Sequence, residues 1–339
     1  MRSWTRRLEQ TNYLIFIIVG IGVIIRLVSI PVFAFVANSP VDVYYVDRLA
    51  AQIVLDLKSP YLQGVVFHNF VLNQFPYLPM IPVFYAPFYL LGDIRFGSIF
   101  ADILIMFSIY WIAKSINRGA AFFAPLAFAL LPFSIFLTSV ISTNMMIGTA
   151  FLTLSTAALL KKNYLVGAIL LGVALATNQL VALVLPLLIF YFWGERKFSH
   201  FLGSLLVSAG IILPFLIANP FRFVYDVVLF QFERPLQVDG SFSLYSLVNS
   251  ITGIALDSWV RVALFLLVIL VAVLWFKRKT FYLIPLMGGV LLLGAFILPV
   301  NGFWNYFLPG AAFFCALIPY AIDEITSKIE KSVSSPKKL

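Results

Sequence analysis

Two carboxylates, Asp42 and Asp47, stand out in a chain of 339 residues that contains only 14 Asp and Glu. A carboxylate beside a reacting hydroxyl can act as a general base, because it accepts the proton that the hydroxyl loses. On an α-helix of about 3.6 residues per turn, two residues at this spacing point about 140° apart. Both can therefore face one site only if the helix begins irregularly. A simpler interpretation is that Asp42 only caps the helix, accepting from its free backbone N–H groups.

A second pair of charges, Arg26 and Asp102, lies within apolar segments. Each of them needs a partner, because an ionisable group in hydrocarbon costs at least about 2.5 kcal/mol. Counted from the outer ends of their helices at about 1.5 Å per residue, Arg26 lies about 15 Å deep and Asp102 about 9 Å deep. A long arginine side chain can bridge that difference. These depths predict a structural ion pair between the two residues.

The composition indicates the surroundings in which these charges must be placed. Hydrophobic residues make up 62% of the chain and charged residues 11%, and the mean hydropathy is +1.01. Such values are typical of an integral membrane protein. The net charge of +9 is spread along the chain, whereas a nucleic-acid-binding protein concentrates basic residues on one face, so that class is excluded. The single cysteine, Cys315, excludes an internal disulfide and a cysteine-based metal site.

Basic residues recur at every second gap between the apolar segments, and loops rich in Lys and Arg stay in the cytoplasm. All six clusters lie inside if an even number of spans separates each neighbouring pair, which places both termini in the cytoplasm of a cell-membrane protein. The clusters are Arg2, Arg6 and Arg7; Lys114 and Arg118; Lys161 and Lys162; Arg196 and Lys197; Lys277, Arg278 and Lys279; and Lys328, Lys331, Lys337 and Lys338.

The apolar segments predict an all-α polytopic membrane protein with about ten transmembrane helices, forming a single domain over residues 1–339. A further apolar stretch, 77–91, is interrupted by prolines, which a continuous helix tolerates badly. If it crossed the membrane, every later basic cluster would lie outside. Residues 37–95 are therefore predicted to form one large extracytoplasmic loop, with 77–91 as a broken or re-entrant helix at the interface. The predicted spans are 13–36, 96–113, 120–138, 145–160, 164–178, 180–193, 200–218, 259–276, 281–299 and 303–322; a second large outward loop covers 219–258, and 323–339 is a basic cytoplasmic tail.

Residues 42–57 have the pattern of an amphipathic helix on the membrane surface, with Asp42 as its N-cap. The predicted apolar face consists of Val43, Val46, Leu49, Ala50, Ile53 and Leu57. The polar residues between them are Asp47, Arg48, Gln52 and Asp56.

Several segments of the first 115 residues resemble the glycosyltransferase C (GT-C) superfamily, the polytopic enzymes that use polyprenyl-phosphate-linked sugars, and mannosyltransferase-like members in particular. The similarity lies in a first helix with Arg26 in its outer half, then in D-V-Y-Y-V-D-R-L-A-A, S-P-Y, Y-L-P-M-I-P-V-F-Y-A-P-F-Y-L-L-G and I-R-F-G-S-I-F-A-D. The superfamily also places a large outward loop, with a partly embedded helix, after its first span. The rest of the chain matches with lower specificity.

The resemblance implies a transferase that moves a sugar, such as the hexose mannose, from a polyprenyl-phosphate donor to a lipid- or glycan-linked acceptor on the extracytoplasmic side. Asp42 matches the family's general base, and Asp47 is the second choice. The leaving phosphate needs cations, and the loop N-P-F-R-F-V-Y-D-V-V-L-F-Q-F-E-R resembles the loop that closes over the donor. Arg234 is therefore the first choice for phosphate binding and Arg222 the second, unless these arginines only snorkel or pair with Glu233 or Asp226. Further contacts to the substrate or the lipid phosphate are assigned to Arg95, His68 and Tyr45. The pair of Arg26 and Asp102 is interpreted as structural, and the alternative is that it positions the lipid phosphate.

The chain also departs from the family at two places. Many members have an acidic residue in the loop matching T-S-V-I-S-T-N-M-M, where this chain has only Asn144, and many have a lysine near Asn178 and Gln179. With a single acidic motif we expect no metal and no cofactor. A lipid-linked sugar carrier is one alternative, although carriers commonly show paired broken helices and only one proline-broken segment occurs here. A non-catalytic membrane subunit of a glycosylation complex is the other, and the missing acidic residue is its best support.

Overall fold

The computed structural model has the helical architecture that the sequence predicts. It describes residues 13–37, 42–61, 65–67, 70–72, 75–230, 241–276 and 280–334. In chain order the elements are α1 Leu14–Ala37, α2 Asp42–Leu55, β1 Val65–Phe67, β2 Phe70–Leu72, α3 Met80–Leu90, α4 Arg95–Ile116, α5 Phe123–Ala129, α6 Pro132–Phe136 with a π-helical turn Leu137–Ile141, α7 Met145–Leu160, α8 Tyr164–Leu175, a 3₁₀ turn Gln179–Val184, α9 Leu185–Gly194, α10 Phe198–Ala218, α11 Pro220–Val224 with a π-helical turn Tyr225–Leu229, α12 Leu244–Thr252, α13 Ser258–Trp275, α14 Thr280–Ile297, a 3₁₀ turn Trp304–Phe307 and α15 Leu308–Ser334.

The described residues form a multi-pass membrane protein. Among them, five helices are long and apolar enough to cross a bilayer, and a bent pair makes a sixth possible span. Each remaining predicted span coincides with a shorter apolar helix, so the count of ten stays a prediction. The outermost helices α10 and α13 expose most of their apolar side chains, as is expected where lipid replaces water as the surrounding medium.

The predicted span at 120–138 is not one straight helix. It breaks after Ala129, and α5 meets the segment Pro132–Ile141 at an angle of 53°. Pro132 explains the break, because a proline has no backbone N–H and restricts the residue before it to an extended conformation. Leu131 is indeed extended, with ψ of 111°.

The core contains close helix contacts made at small residues, as is common in membrane proteins. Gly172 of α8 lies so close to α10 that an added Cβ would stand 2.5 Å from the Ser204 carbonyl oxygen. Gly167 makes a similar contact with Leu159 of α7. Helix α8 is therefore closely packed against both α7 and α10.

The loop over residues 37–95 differs from its prediction in the end of α2 and in the continuity of α3. Helix α2 ends at Leu55, and Leu57 has a left-handed φ of 56°, which helical residues do not adopt. Helix α3 is continuous rather than broken, although Pro87 lies within it. Pro79 precedes its start, and Pro82 lies in the first turn, where backbone N–H groups have no intrahelical partner. It has 11 residues, and that the segment 77–91 does not cross the bilayer stays a prediction.

Between α2 and α3 lies a short antiparallel hairpin that the sequence did not predict. Its three-residue strands pair Val65 with Leu72, Val66 with Val71 and Phe67 with Phe70. Strands this short leave too few residues for an alternating pattern to be recognised.

The buried face of α2 is rotated from the predicted one. It consists of Tyr44, Val46, Asp47, Ala50 and Ala51, so Asp47 lies within it rather than on the polar side. The helix packs against α3, so protein contacts, and not only a membrane surface, select its buried side. A hydrophobicity pattern alone could not include an acidic residue in that face.

Candidate functional site

The two carboxylates of α2 lie in opposite environments. Asp42 is exposed at the first position of the helix, and its Oδ1 accepts a hydrogen bond from the backbone N–H of Val43 at 2.8 Å. Asp47 has no exposed surface, and neither of its carboxylate oxygens has a hydrogen-bond partner among the described residues. The structure therefore separates an accessible carboxylate from an enclosed one.

Burial controls the ionisation of Asp47. Loss of hydration raises the pKa of this carboxyl group well above its usual range, and the negative charge of Asp42 raises it further. The same two effects reach Tyr85 of α3, whose pKa is raised first by burial and then by the charge of Asp47. Burial therefore favours the neutral, protonated forms of both Asp47 on α2 and Tyr85 on α3.

The Tyr85 hydroxyl connects α3 to the turn between the bent span and α7. It lies 2.9 Å from Ser98 Oγ and donates to the carbonyl oxygen of Ser142 at 3.3 Å. Ser98 Oγ is in turn 2.8 Å from Ser142 Oγ. Ser142 follows a π-helical turn and has a left-handed φ of 50°, so the chain reverses sharply where it meets Tyr85. Turns of this kind recur at functional sites.

Next to this turn lie two amide side chains, Asn144 and Asn305. Asn144 begins α7 but makes no capping hydrogen bond. The Nδ2 of Asn305 donates to Thr143 Oγ1 at 3.0 Å. Sequence reasoning singled out Asn144 only as a departure from the family and missed Asn305 and Tyr85, because no local motif marks either residue.

The cations proposed for phosphate binding are largely engaged within the protein. Arg95 pairs with Asp93, its Nε lying 2.7 Å from Asp93 Oδ2, and its guanidinium stands over the Tyr44 ring. Arg222 pairs with Asp226, with Nε 3.1 Å from Oδ1, so the pairing that the sequence left open is the observed one. Arg234 and His68, the other two predicted cations, lie outside the described residues.

Two further arginines, Arg48 and Arg261, and the predicted contact Tyr45 are also engaged within the protein. Arg48 stands over the Tyr89 ring, with its guanidinium carbon 5.8 Å from the ring centre. Tyr45 packs edge-on against Tyr44. The guanidinium of Arg261 is buried and donates to the Leu298 carbonyl oxygen, so it is not free to bind a ligand.

The two loops that the sequence predicts to face outward are joined at Asp226. The Oδ2 of this buried carboxylate accepts from the backbone N–H of Phe75 in the first loop at 3.1 Å. Burial raises the pKa of Asp226, while the Phe75 N–H and the Arg222 charge oppose that rise. Gln179 adds a second link, since its Nε2 donates to the carbonyl oxygens of Pro76 and Val227, both at 3.2 Å. We refer to these contacts as the loop junction.

The intramembrane charges Arg26 and Asp102 meet as an ion pair, and both side chains are fully buried. The Arg26 guanidinium also donates to the Ala129 carbonyl oxygen and to Ser134 Oγ, both at 2.6 Å. These acceptors lie on either side of the break in the bent span. Arg26 therefore binds both halves of that span to α1 and α4.

The described residues contain no group of three His, Cys, Asp or Glu that could hold a metal ion, and a metal-free site stays a prediction.

Comparisons with known proteins identify the fold. No protein-family model matches the chain, and no curated protein sequence matches it significantly. Two crystal structures of ArnT from Cupriavidus metallidurans are similar to it, each at 15% sequence identity. The apo structure gives a TM-score of 0.59 over 89% of this chain and 59% of ArnT, and the structure bound to undecaprenyl phosphate gives 0.65 over 92% and 60%. This chain therefore shares the fold of ArnT, in agreement with the all-α polytopic fold that the sequence predicts. This chain spans about three-fifths of the length of ArnT.

Proposed function

We propose that this protein is a membrane glycosyltransferase that moves a sugar from a polyprenyl-phosphate donor to a hydroxyl group of a lipid- or glycan-linked acceptor, on the extracytoplasmic side. The observation that carries the proposal is the fold shared with ArnT in its complex with undecaprenyl phosphate. A hexose such as mannose is the sugar that the sequence resemblance favours.

The reaction exchanges one bond at the anomeric carbon for another. The acceptor oxygen forms a bond to that carbon while its proton passes to a base. The bond between the anomeric carbon and the phosphate oxygen breaks, and the phosphate leaves with the electron pair. The protein must therefore supply a base on the acceptor side and positive charge near the phosphate.

Asp42 is the base in this proposal. Its carboxylate is exposed at the start of α2, so an acceptor hydroxyl can approach it. Asp47 is fully enclosed, and burial favours its protonated form, which cannot accept a proton. Asp47 could serve as the base only after a rearrangement that exposes and ionises it.

Positive charge for the phosphate comes from Arg234 in this proposal. Arg222 and Arg95 already form ion pairs with carboxylates, which makes them weaker candidates for binding the phosphate. Arg48 makes no ion pair with a described residue, and it follows Asp47 directly on α2. It is the second cation that we expect near the donor, with Tyr45 and His68 as neighbouring polar contacts.

Three Asp→Asn variants on one segment test the base. We expect Asp42→Asn to retain donor binding and expression while transfer falls by about 10²- to 10⁴-fold, the usual contribution of a positioned base. Asp47→Asn should retain most activity, because Asn has the shape of a protonated Asp. Asp56, exposed just after the helix, is the matched control, and Asp56→Asn should behave as wild type.

The assay incubates membranes with a panel of radiolabelled polyprenyl-phosphate sugars and follows label into products. Selective loss of transfer in Asp47→Asn, with Asp42→Asn active, would assign the base to Asp47. If wild type transfers no label from any donor but carries label across the bilayer, the protein is a carrier. If it does neither, the subunit alternative gains support. Arg234→Ala should weaken donor binding without lowering the folded yield.

A further inference from the structure

The turn of residues 142–144 presents a buried amide that the protein itself does not satisfy. Asn144 is 1% exposed, and neither its Nδ2 nor its Oδ1 has a hydrogen-bond partner among the described residues. Native proteins leave few buried polar atoms in this state, because such atoms lose their bonds to water without gaining others. An amide that remains unsatisfied in the folded chain is a candidate for binding a ligand.

Asn305 brings a second such group to the same turn. Its Nδ2 is held by Thr143 Oγ1, which fixes the orientation of the side chain. Its Oδ1 is buried and has no partner within the described part of the chain. Asn305 lies in the turn before α15, so two elements distant in sequence each bring an amide with an unsatisfied atom to this turn.

The groups around this turn are neutral. Tyr85, Ser98 and Ser142 contribute hydroxyls on one side, and Thr143 contributes another. No lysine or arginine makes a hydrogen bond to any of these side chains among the described residues. Phosphate binding calls for cations, whereas sugar hydroxyls pair well with amides, which offer a donor and an acceptor together.

We infer that Asn144 and Asn305 form a subsite for the hydroxyl groups of the sugar on the donor, and that this sugar is uncharged. The inference rests on the proposed function. Asn144 donates from Nδ2 to one hydroxyl and accepts at Oδ1 from a neighbouring one, while Asn305 Oδ1 accepts from a third. Asn144 is enclosed, whereas Asn305 is partly exposed although its Oδ1 is buried.

The test separates recognition of the sugar from recognition of the lipid phosphate. Dissociation constants are measured on the purified full chain for undecaprenyl phosphate, and for undecaprenyl phosphate carrying mannose, glucose or galactose. Loss of two hydrogen bonds should weaken binding of the best sugar-bearing lipid to Asn144→Ala by about 5- to 100-fold, with sugar-free lipid unchanged. Asn144→Asp, which keeps the volume but loses the donor, should show a smaller loss in the same direction.

Asn163→Ala is the matched control, because Asn163 lies at the opposite end of α7, where it caps α8. Its affinities for both kinds of lipid should equal those of wild type. Equal weakening of both lipids in Asn144→Ala would overturn the subsite, and so would wild-type affinity for the sugar-bearing lipid in that variant. If wild type binds sugar-free lipid but prefers none of the three sugars, the subsite also fails while the proposed function stands. Failure to bind either kind of lipid would overturn the proposed function itself.

Discussion

A double-mutant cycle on Arg26 and Asp102 tests how the bent span is held. The pair is fully buried, and removing one member leaves the other charge uncompensated, at a cost of about 3–5 kcal/mol. Asp102→Leu keeps the branched shape of the side chain and should destabilise by that amount. Arg26→Met should cost about 1–3 kcal/mol more, because the Ala129 carbonyl oxygen also loses its 2.6 Å hydrogen bond.

The double variant removes both charges at once. Only the lost hydrogen bond to the Ala129 carbonyl oxygen of the bent span then remains. We therefore expect the double variant to be destabilised by about 1–3 kcal/mol and to be more stable than either single variant. The single costs sum to about 7 kcal/mol or more, which makes the coupling energy at least about 4 kcal/mol in magnitude. The Phe128 carbonyl oxygen also accepts from Arg26, at 3.4 Å, but the loss of this bond adds little to this sum because that oxygen retains a hydrogen bond from Ser134 Oγ at 3.0 Å.

The measurement is equilibrium unfolding of the purified variants in mixed micelles with increasing SDS, followed by circular dichroism. The reasoning fails if the double variant is less stable than both single variants, because the two charges would then contribute independently. It also fails if Asp102→Leu is neutral. A parallel measurement of donor binding shows whether the pair affects the lipid phosphate, which a purely structural pair leaves unchanged in any variant that folds.

Three further predictions concern the outer surface. Because burial raises the pKa of Asp47, the folded state binds that proton more tightly than the unfolded state, whose carboxyl pKa is about 3.9. The stability that this proton contributes is present below the unfolded-state pKa and is lost as pH rises toward the folded-state pKa. Wild type should therefore lose thermal stability relative to Asp47→Asn between about pH 4.5 and 8. Parallel pH profiles for the two proteins would contradict a buried, protonated Asp47. Asp226→Ala should lower the free energy of unfolding by about 1–3 kcal/mol and expose the outward loops to proteolysis, because it leaves the buried Phe75 N–H unpaired. Arg222→Ala should lower it by less than about 1 kcal/mol, since the Arg222 side chain is 36% exposed and can be rehydrated. In a Cys315→Ala background, an impermeant thiol reagent applied to intact cells should label Lys58→Cys and spare Lys161→Cys, both exposed positions, and the reverse labelling would refute the topology with cytoplasmic termini.

The sequence predicts the elements of this fold better than their contacts. Apolar segment lengths locate the membrane helices, whereas the prolines of residues 77–91 do not break the helix that they were expected to interrupt. The estimated depths of Arg26 and Asp102 in the membrane also predict the ion pair that the structure shows, because a buried charge needs a partner in an apolar medium. Each of these inferences depends on a property of a single segment or on an energetic requirement that admits few solutions.

The candidate site depends instead on contacts between distant segments. Asn305 meets Thr143 across 162 residues, and Asp226 meets Phe75 across 151. No local pattern encodes such distances. The burial of Asp47 was missed for the same reason, since periodicity assigns an acidic residue to the polar face and only the packing of α2 against α3 shows otherwise.

Both π-helical turns of the chain's described part lie where an outward segment meets the first loop. The turn Leu137–Ile141 leads directly to Ser142, which contacts Tyr85, and the turn Tyr225–Leu229 contains Asp226, which holds Phe75. A π-turn widens the helix by one residue, so it shifts the side chains that follow it relative to those before it. At both places this shift brings a polar group to the first loop. The loop that holds Asp42 and Asp47 is thereby fixed on two sides, which is the rigid support that a positioned base requires.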